Sequence, residues 1–416
     1  MTDVTAQLQA ARNATYALAA LNDAKCNAVL ETLSDILLAD QAQILAENEK
    51  DLAAMRKEDP RYDRLQLTPQ RLAGIAADIK TIAALPCPLG QVQLERDMPN
   101  GLHIERIAVP LGVVGVIYES RPNVTVDVFA LCFKAGNACA LKGGKEAHHT
   151  NTALMACIGN ALAKHGIDVG AACLLPPERA AADTLMNATG LVDVLIPRGS
   201  QGLIEAVRKN SRVPVIETGA GIVHTYFDAT GDLEKGQKII HNAKTRRVSV
   251  CNALDTLIVH ETRIPELYDL VSAMAAKDVE IFADTSAFQS LNEKYPAQLL
   301  HAATEESFGC EFLSYKMSVK TVPSLDAALA HIRAHSSRHS EAIVSEHKPS
   351  IDRFLAEVDA AAVYANASTA FTDGGQFGMG AEIGISTQKL HARGPMGLEA
   401  LTSYKWVVRG DGQTRD

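Results

Sequence analysis

Cys251 stands between three basic residues and an apolar run in "KTRRVSVCNALDTLIVH", residues 244 to 260. The thiolate is the nucleophilic form of cysteine, and Lys244, Arg246 and Arg247 just upstream would lower its pKa from about 8.5 toward neutrality. The same stretch also fits a small buried hydrophobe. That is the simplest reading of the cysteines at 26, 87, 132, 139, 157 and 173, since the chain has no C-x-x-C pair. Cys310, in "ESFGCEF", has carboxylates on both sides that would raise its pKa, which makes it the weaker rival.

Two glycine turns offer different chemistry. "ALKGGKE", 140 to 146, follows an apolar strand, and "IPRGSQG", 196 to 202, follows another and opens a helix. Backbone amides at such turns can hold a phosphate, aided by the helix dipole. Neither is a G-x-G-x-x-G or a P-loop, so an ordinary strand-to-helix turn remains the commoner explanation. Lys142 and Lys145 favour an anionic ligand at the carboxyl end of a sheet. Late in the chain, "NASTAFTDGGQFGMGAEIGISTQKLHARGPMGLEALTSYKW", 366 to 406, is rich in Gly, Ser and Thr, the composition of a functional loop. Within it His391 and Arg393 suit an anionic substrate or a structural hydrogen-bonded pair.

These residues need elements to position them. Residues 1 to 85 read as helices: 5–21, 24–40, and 68–85 with Thr68 as N-cap and Pro69 in the first turn. A strand, a turn at Pro99-Asn100-Gly101 and a second strand follow over 91–110. Strand and helix then alternate: 113–119, 124–136, 138–143, 150–166, 192–197, 201–210 and 213–218. A second series follows the helix 232–247, with strands at 253–260, 279–284 and 316–322 and helices at 264–278 and 324–337. Such alternation implies an α/β fold with parallel sheets covered on both faces. The glycine cluster at 219 to 221 suggests a boundary.

Composition excludes several classes. A formal charge of -9 and a pI near 5.8 argue against nucleic-acid or polybasic membrane roles. The longest apolar run has 12 residues, broken by Pro110, Gly112 and Gly115, where a bilayer needs about 20. "MTDVTAQLQAARN" lacks the pattern of a secretory signal. The 13 histidines are scattered, so no metal site is expected, and His148-His149 reads as solvated surface. His224 and His241 lie nearest Cys251 in sequence, but spacing alone pairs neither with it.

Taken together, "YESRPNVTVD", "LKGGKE", "IPRGSQG", "NAKTRRVSVCN" and the 366–406 block closely resemble the aldehyde dehydrogenase superfamily. Within it they resemble the branch that reduces L-glutamyl 5-phosphate to L-glutamate 5-semialdehyde, the second step of proline biosynthesis from glutamate. The resemblance spans nearly the whole chain. It implies a Rossmann-like cofactor domain with N-terminal helices over 1–220, a catalytic domain over 221–385, and a C-terminal segment, 386–416, that returns to the cofactor domain. It also implies an oligomerisation hairpin at 91–108, a homodimer or homotetramer, a cytoplasmic location, and a substrate channelled from glutamate 5-kinase.

By position, the resemblance makes Cys251 the nucleophile and Asn123, in "RPN", the amide of an oxyanion hole. Lys142 matches the lysine at the adenosine ribose. Lys145 stands where NAD-preferring relatives carry a glutamate, which implies NADPH. Gly199, Ser200 and Gly202 match the turn beneath the pyrophosphate, and Glu311 the carboxylate at the nicotinamide ribose. Arg121, Lys244, Arg247 and Arg393 are candidates for the glutamate head group. Glu217 aligns with the base of hydrolytic relatives. An active base would waste the acyl phosphate, so Glu217 is expected to be turned away, paired with a cation, or structural. A hydrolytic aldehyde dehydrogenase using Cys251 and Glu217 is the alternative, and a binding protein that kept only the fold is a third reading.

Overall fold

Three capped helices open the chain. Asp3 accepts from the amides of Thr5 and Ala6 to start Val4–Leu18, Asn22 accepts from Lys25 to start Asp23–Ala39, and Thr68 accepts from Arg71 to start Pro69–Ala84. Each cap satisfies an amide that the first turn leaves unpaired. A further helix, Gln41–Ala53, lies where the sequence carries little apolar periodicity. It buries Ile44 beside two polar residues, Asn48 and Asp51. Asn48 bridges the Leu65 carbonyl and the Leu67 amide, and Asp51 accepts from the amide and hydroxyl of Thr150. The computed structural model describes residues 3–59 and 61–415.

The first parallel sheet has the strand order Ala172–Leu174, Ala138–Lys142, Val113–Tyr118, Val194–Arg198. Val113–Tyr118, Ala138–Lys142 and most of Val194–Arg198 are buried, as expected when helices cover both faces. Successive crossovers lead outward from Val113–Tyr118, and the chain then returns to its other side. The strand order therefore reverses at the carboxyl ends of Val113–Tyr118 and Val194–Arg198, the place where open α/β sheets take ligands. The expected strand at 213–218 is reduced to one bridge, Leu195 with Val215. Pro214 has no amide to donate and cannot extend the ladder.

An antiparallel sheet stands apart from this one, in the order Val92–Asp97, His103–Pro110, Thr402–Arg409. It contains the expected hairpin and adds the last strand of the chain. Tyr404, Trp406 and Val408 alternate along that strand and are each about half exposed.

The second parallel sheet has seven strands, in the order Leu300–Ala302, Glu280–Ala283, Lys316–Val322, Thr256–His260, His224–Phe227, Ser340–Val344, Ala362–Ala365. Its period of two sorts residues between two cores. Phe227, Leu257 and Val259 join one, and Tyr226, Ile258 and Ile343 the other. The single helix expected over 264–278 is instead a 3-10 turn Glu261–Glu266, a short helix Leu267–Val271 and a second 3-10 turn Ser272–Lys277. Pro265 inside the first turn removes a donor and breaks the run.

The chain forms two compact units, one of Met1–Thr218, Gly378–Gly384 and Pro395–Asp416, the other of Gly219–Phe377 and Ile385–Gly394. The single C-terminal return expected from 386 is instead divided: Gly378–Gly384 and Pro395–Asp416 join the first unit, and Ile385–Gly394 stays with the second. Among the described residues no helix is long and apolar enough to cross a membrane, and no group of His, Cys, Asp or Glu could hold a metal ion.

Candidate active site

Cys251 lies in the second unit, half-buried in the turn between helix Leu233–Thr245 and strand Thr256–His260. The chain on either side of it is held by contacts distant in sequence. A Cβ built on Gly221 would stand 1.7 Å from the Cys251 carbonyl oxygen, so only glycine permits this approach. The Gly221 amide donates to Oε1 of Glu311 at 2.8 Å. The neighbouring Asn252 side chain is buried and donates to the Thr372 carbonyl at 3.0 Å, while the Asn252 carbonyl accepts from the Thr369 hydroxyl at 2.9 Å. The glycine-rich late segment is therefore ordered where it meets the cysteine turn.

The basic residues upstream are arranged differently from the sequence expectation. Lys244 is fully buried and its Nζ donates to the Leu254 carbonyl at 2.9 Å. This removes it from the candidates for binding substrate directly. Burial pushes its pKa down, and the attraction of Asp255 opposes that shift. Asp255 is buried as well, which raises its pKa, while Lys244 and the amides of Phe312 and Val223 pull it back. Arg246 and Arg247 are exposed. Cys310 has a raised pKa as expected, but burial is the first cause, ahead of Asp255 and Glu311. Neither nearby histidine is placed as a base for a cysteine. His224 is buried with Nδ1 3.1 Å from Glu341, and His241 lies against Thr245 one turn along its own helix.

Asn123, in the first unit, is the first residue of helix Asn123–Lys134. Its Nδ2 donates to Oδ2 of Asp127 at 2.8 Å, one turn along, which fixes the amide and leaves its second N–H for another acceptor. Burial raises Asp127 to about 7. The bond from Asn123 and the charge of Arg198 pull it down, and Asp78 pushes it up. Ser120, which begins the approach to this helix, holds φ at 46°, a left-handed conformation costing about 1–2 kcal/mol in a non-glycine residue. Glu146 secures it by accepting from both the Ser120 amide, 2.8 Å, and its hydroxyl, 2.7 Å.

The two glycine turns sit at the carboxyl ends of their strands. Lys142 ends strand Ala138–Lys142, 9% exposed, with Nζ donating to the Pro177 carbonyl at 2.9 Å. Burial lowers its pKa, and Glu146, Glu178 and Glu119 oppose that. Lys145 is exposed on the 3-10 turn Lys145–Ala147. Ser200 caps helix Gln201–Asn210 with its side chain, while its amide donates to Oε2 of Glu119 at 2.9 Å. A side chain at Gly199 would meet that same carboxylate, whereas one at Gly202 would meet open space. Glu119 and Glu146 are thus the residues that sequence reasoning passed over. Their signal was their place, directly after strand Val113–Tyr118 and at the end of "LKGGKE".

The remaining candidates are spread more widely. Arg121 is half-buried, two residues before Asn123. Arg393 pairs with Asp359 at 2.7 Å, an ion pair within the second unit. Glu217 lies 3.7 Å from Arg208, one of the arrangements expected for it.

Known proteins match the chain over its length in sequence and in fold. The family model described as aldehyde dehydrogenase family matches residues 1–285. A gamma-glutamyl phosphate reductase of Legionella pneumophila (strain Paris) is 60% identical over 415 residues, 100% of both chains. Among solved structures, the gamma-glutamyl phosphate reductase of Thermotoga maritima has a TM-score of 0.95 at 37% identity, covering 99% of this chain and 100% of that one. An acetylating aldehyde dehydrogenase of Geobacillus thermoglucosidasius, 18% identical with a TM-score of 0.70, covers 99% of this chain and 97% of its own and shares the fold.

Proposed function

The chain belongs to the aldehyde dehydrogenase family, and from that premise we propose that it reduces L-glutamyl 5-phosphate to L-glutamate 5-semialdehyde with NADPH, within proline biosynthesis. The observation that carries this reading is the full-length identity to proteins named gamma-glutamyl phosphate reductase.

The Cys251 thiolate attacks the acyl carbon, the bond from that carbon to the phosphate oxygen breaks, and inorganic phosphate leaves a thioester. The nicotinamide cofactor, when bound, supplies the hydride that reduces the thioester carbon. The resulting thiohemiacetal oxyanion re-forms its carbonyl, breaks the carbon–sulfur bond, and releases the semialdehyde and the thiolate. Asn123 supports the oxyanion through the N–H that Asp127 does not use. Glu217, beside Arg208, does not activate water, so the thioester survives until hydride arrives.

The residues of the first unit fit an anionic dinucleotide. Lys142 and Lys145 would meet the ribose and its 2'-phosphate, and Gly199, Ser200 and Gly202 offer a helix N-terminus with open space at Gly202. Arg121 and Arg247 remain the basic candidates for the head group. The half-exposed Tyr404, Trp406 and Val408 on the three-stranded sheet support a homo-oligomer formed there. A cytoplasmic enzyme supplied by glutamate 5-kinase completes the reading, and the free state of all eight cysteines accords with it.

Phosphate dependence tests it. Oxidation of the semialdehyde with NADP⁺ should require inorganic phosphate, and Cys251→Ala should lose it by about 10⁴-fold or more. Equal rates without phosphate would instead identify a hydrolytic aldehyde dehydrogenase.

A further inference from the structure

Helix Asn123–Lys134 is sealed along its length except at two positions. Ten of its 12 residues are buried, and the two that are not, Asn123 and Asp127, stand one turn apart on one face. The Asn123 amide donates to Oδ2 of Asp127 at 2.8 Å, and a carboxylate has a second oxygen to offer another donor. Burial is the first cause of the raised Asp127 pKa, yet the side chain is only half-buried, the condition of a group recessed in a concave surface. Among the described residues Arg198 is the only cation acting on it, and that pull is weaker than the push of Asp78 from helix Pro69–Ala84. A desolvated carboxylate so placed is stabilised when a ligand brings a cation to it.

We propose that Asp127 binds the α-ammonium of the substrate and makes the enzyme selective for an amino-acid acyl phosphate. The inference rests on the proposed function, in which Asn123 meets the acyl oxygen. The ammonium lies a few bonds from the acyl carbon, so a substrate held at Asn123 brings its amino end within reach of the neighbouring carboxylate. The basic candidates for the head group suit its carboxylate and repel its ammonium. Asp127 supplies the opposite sign, through a charge-assisted hydrogen bond to the oxygen that Asn123 does not use.

The test compares two aldehydes in the full-length protein, L-glutamate 5-semialdehyde and 5-oxopentanoate, which is the same aldehyde without its amino group. Each is oxidised with NADP⁺ and phosphate by wild type and by Asp127→Asn, which keeps the shape and an acceptor for Asn123 but loses the charge. The ratio of kcat/KM for the semialdehyde to that for 5-oxopentanoate should fall by about 10- to 100-fold in Asp127→Asn, mostly through KM for the semialdehyde, the worth of one hydrogen bond to a charged group. Comparing ratios cancels the intrinsic reactivity of each aldehyde and any general loss of support for the oxyanion. An unchanged ratio, whether both rates fall together or neither falls, would overturn the proposal and leave Asp127 as a support for Asn123 alone. If Asp127→Asn fails to fold, Asp127→Ser is read in the same way. A wild-type enzyme without phosphate-dependent turnover would sink the proposed function and this inference with it, whereas an unchanged ratio sinks the inference only.

Discussion

The turn that carries Cys251 and the helix start that carries Asn123 are both backed by a desolvated carboxyl group, but on different terms. Asp255 shares its surroundings with the buried ammonium of Lys244, so each offsets part of the other's burial. Asp127 has the Asn123 amide as its hydrogen-bonded partner, and its pKa rises to about 7. Removing either member of the first pair would strand a buried charge. Burial raises both carboxyls, but only in the first does a proton taken up by the carboxyl leave a buried cation beside it. The proposed nucleophile therefore sits near a buried carboxyl with a cationic neighbour, and the proposed oxyanion donor beside a carboxyl whose hydrogen-bonded partner is uncharged.

The sharpest way to break that comparison is Asn123→Ala. It should lower kcat by about 10²- to 10³-fold while KM for NADP⁺ changes little. Unaltered kcat would show that this amide holds Asp127 and does nothing more. A second test concerns pH. With a folded pKa near 7 and an unfolded value near 3.9, Asp127 binds an extra proton in the native state between those limits. Its stabilisation is complete below about pH 4 and is lost as pH rises toward 7, at no more than about 1.4 kcal/mol per pH unit. Denaturant midpoints of wild type should thus fall more than those of Asp127→Asn between pH 5 and pH 8, and parallel curves would refute the assignment.

The smallest effect concerns the proposed cofactor turn, where Glu119 holds the Ser200 amide that a pyrophosphate would use. Glu119→Gln removes a charge that repels an incoming phosphate. NADPH should bind about two- to five-fold tighter in a fluorescence titration, the scale of one charge at a helix N-terminus. Weaker binding would mean that the carboxylate orders the turn more than it competes for it.

The central strands were legible because burial on both faces leaves unbroken apolar runs, as in "VVGVIY" and "ACALK". Helix Pro69–Ala84 was legible for a different reason, helical periodicity behind the capping Thr68 and Pro69. Helix Gln41–Ala53 was not, because its buried face is partly polar and gains its partners only on folding. Strand Ser340–Val344 carries a buried Glu341 whose partner, His224, is distant in sequence. At the site, the residue types around Cys251 could be read, but not their directions. Lys244 lies seven residues from the cysteine yet turns inward to Leu254, and the contact that shapes the turn comes from Gly221. Long-range packing decides such orientations, and adjacency in sequence carries no information about it.

Strand Thr402–Arg409 has a consequence for how the protein is made. It pairs along its length with His103–Pro110, and nearby the Asn137 side chain meets the Leu401 carbonyl across 264 residues of sequence. At about 5–20 residues per second, a ribosome would leave His103–Pro110 with a bare edge for some tens of seconds. Most of the second unit is one contiguous stretch, Gly219–Phe377, and its sheet can close within that interval. A nascent chain that stalls late would carry a finished second unit on an unfinished first one, and the unpaired strand is where a chaperone or a misassembled neighbour would take hold.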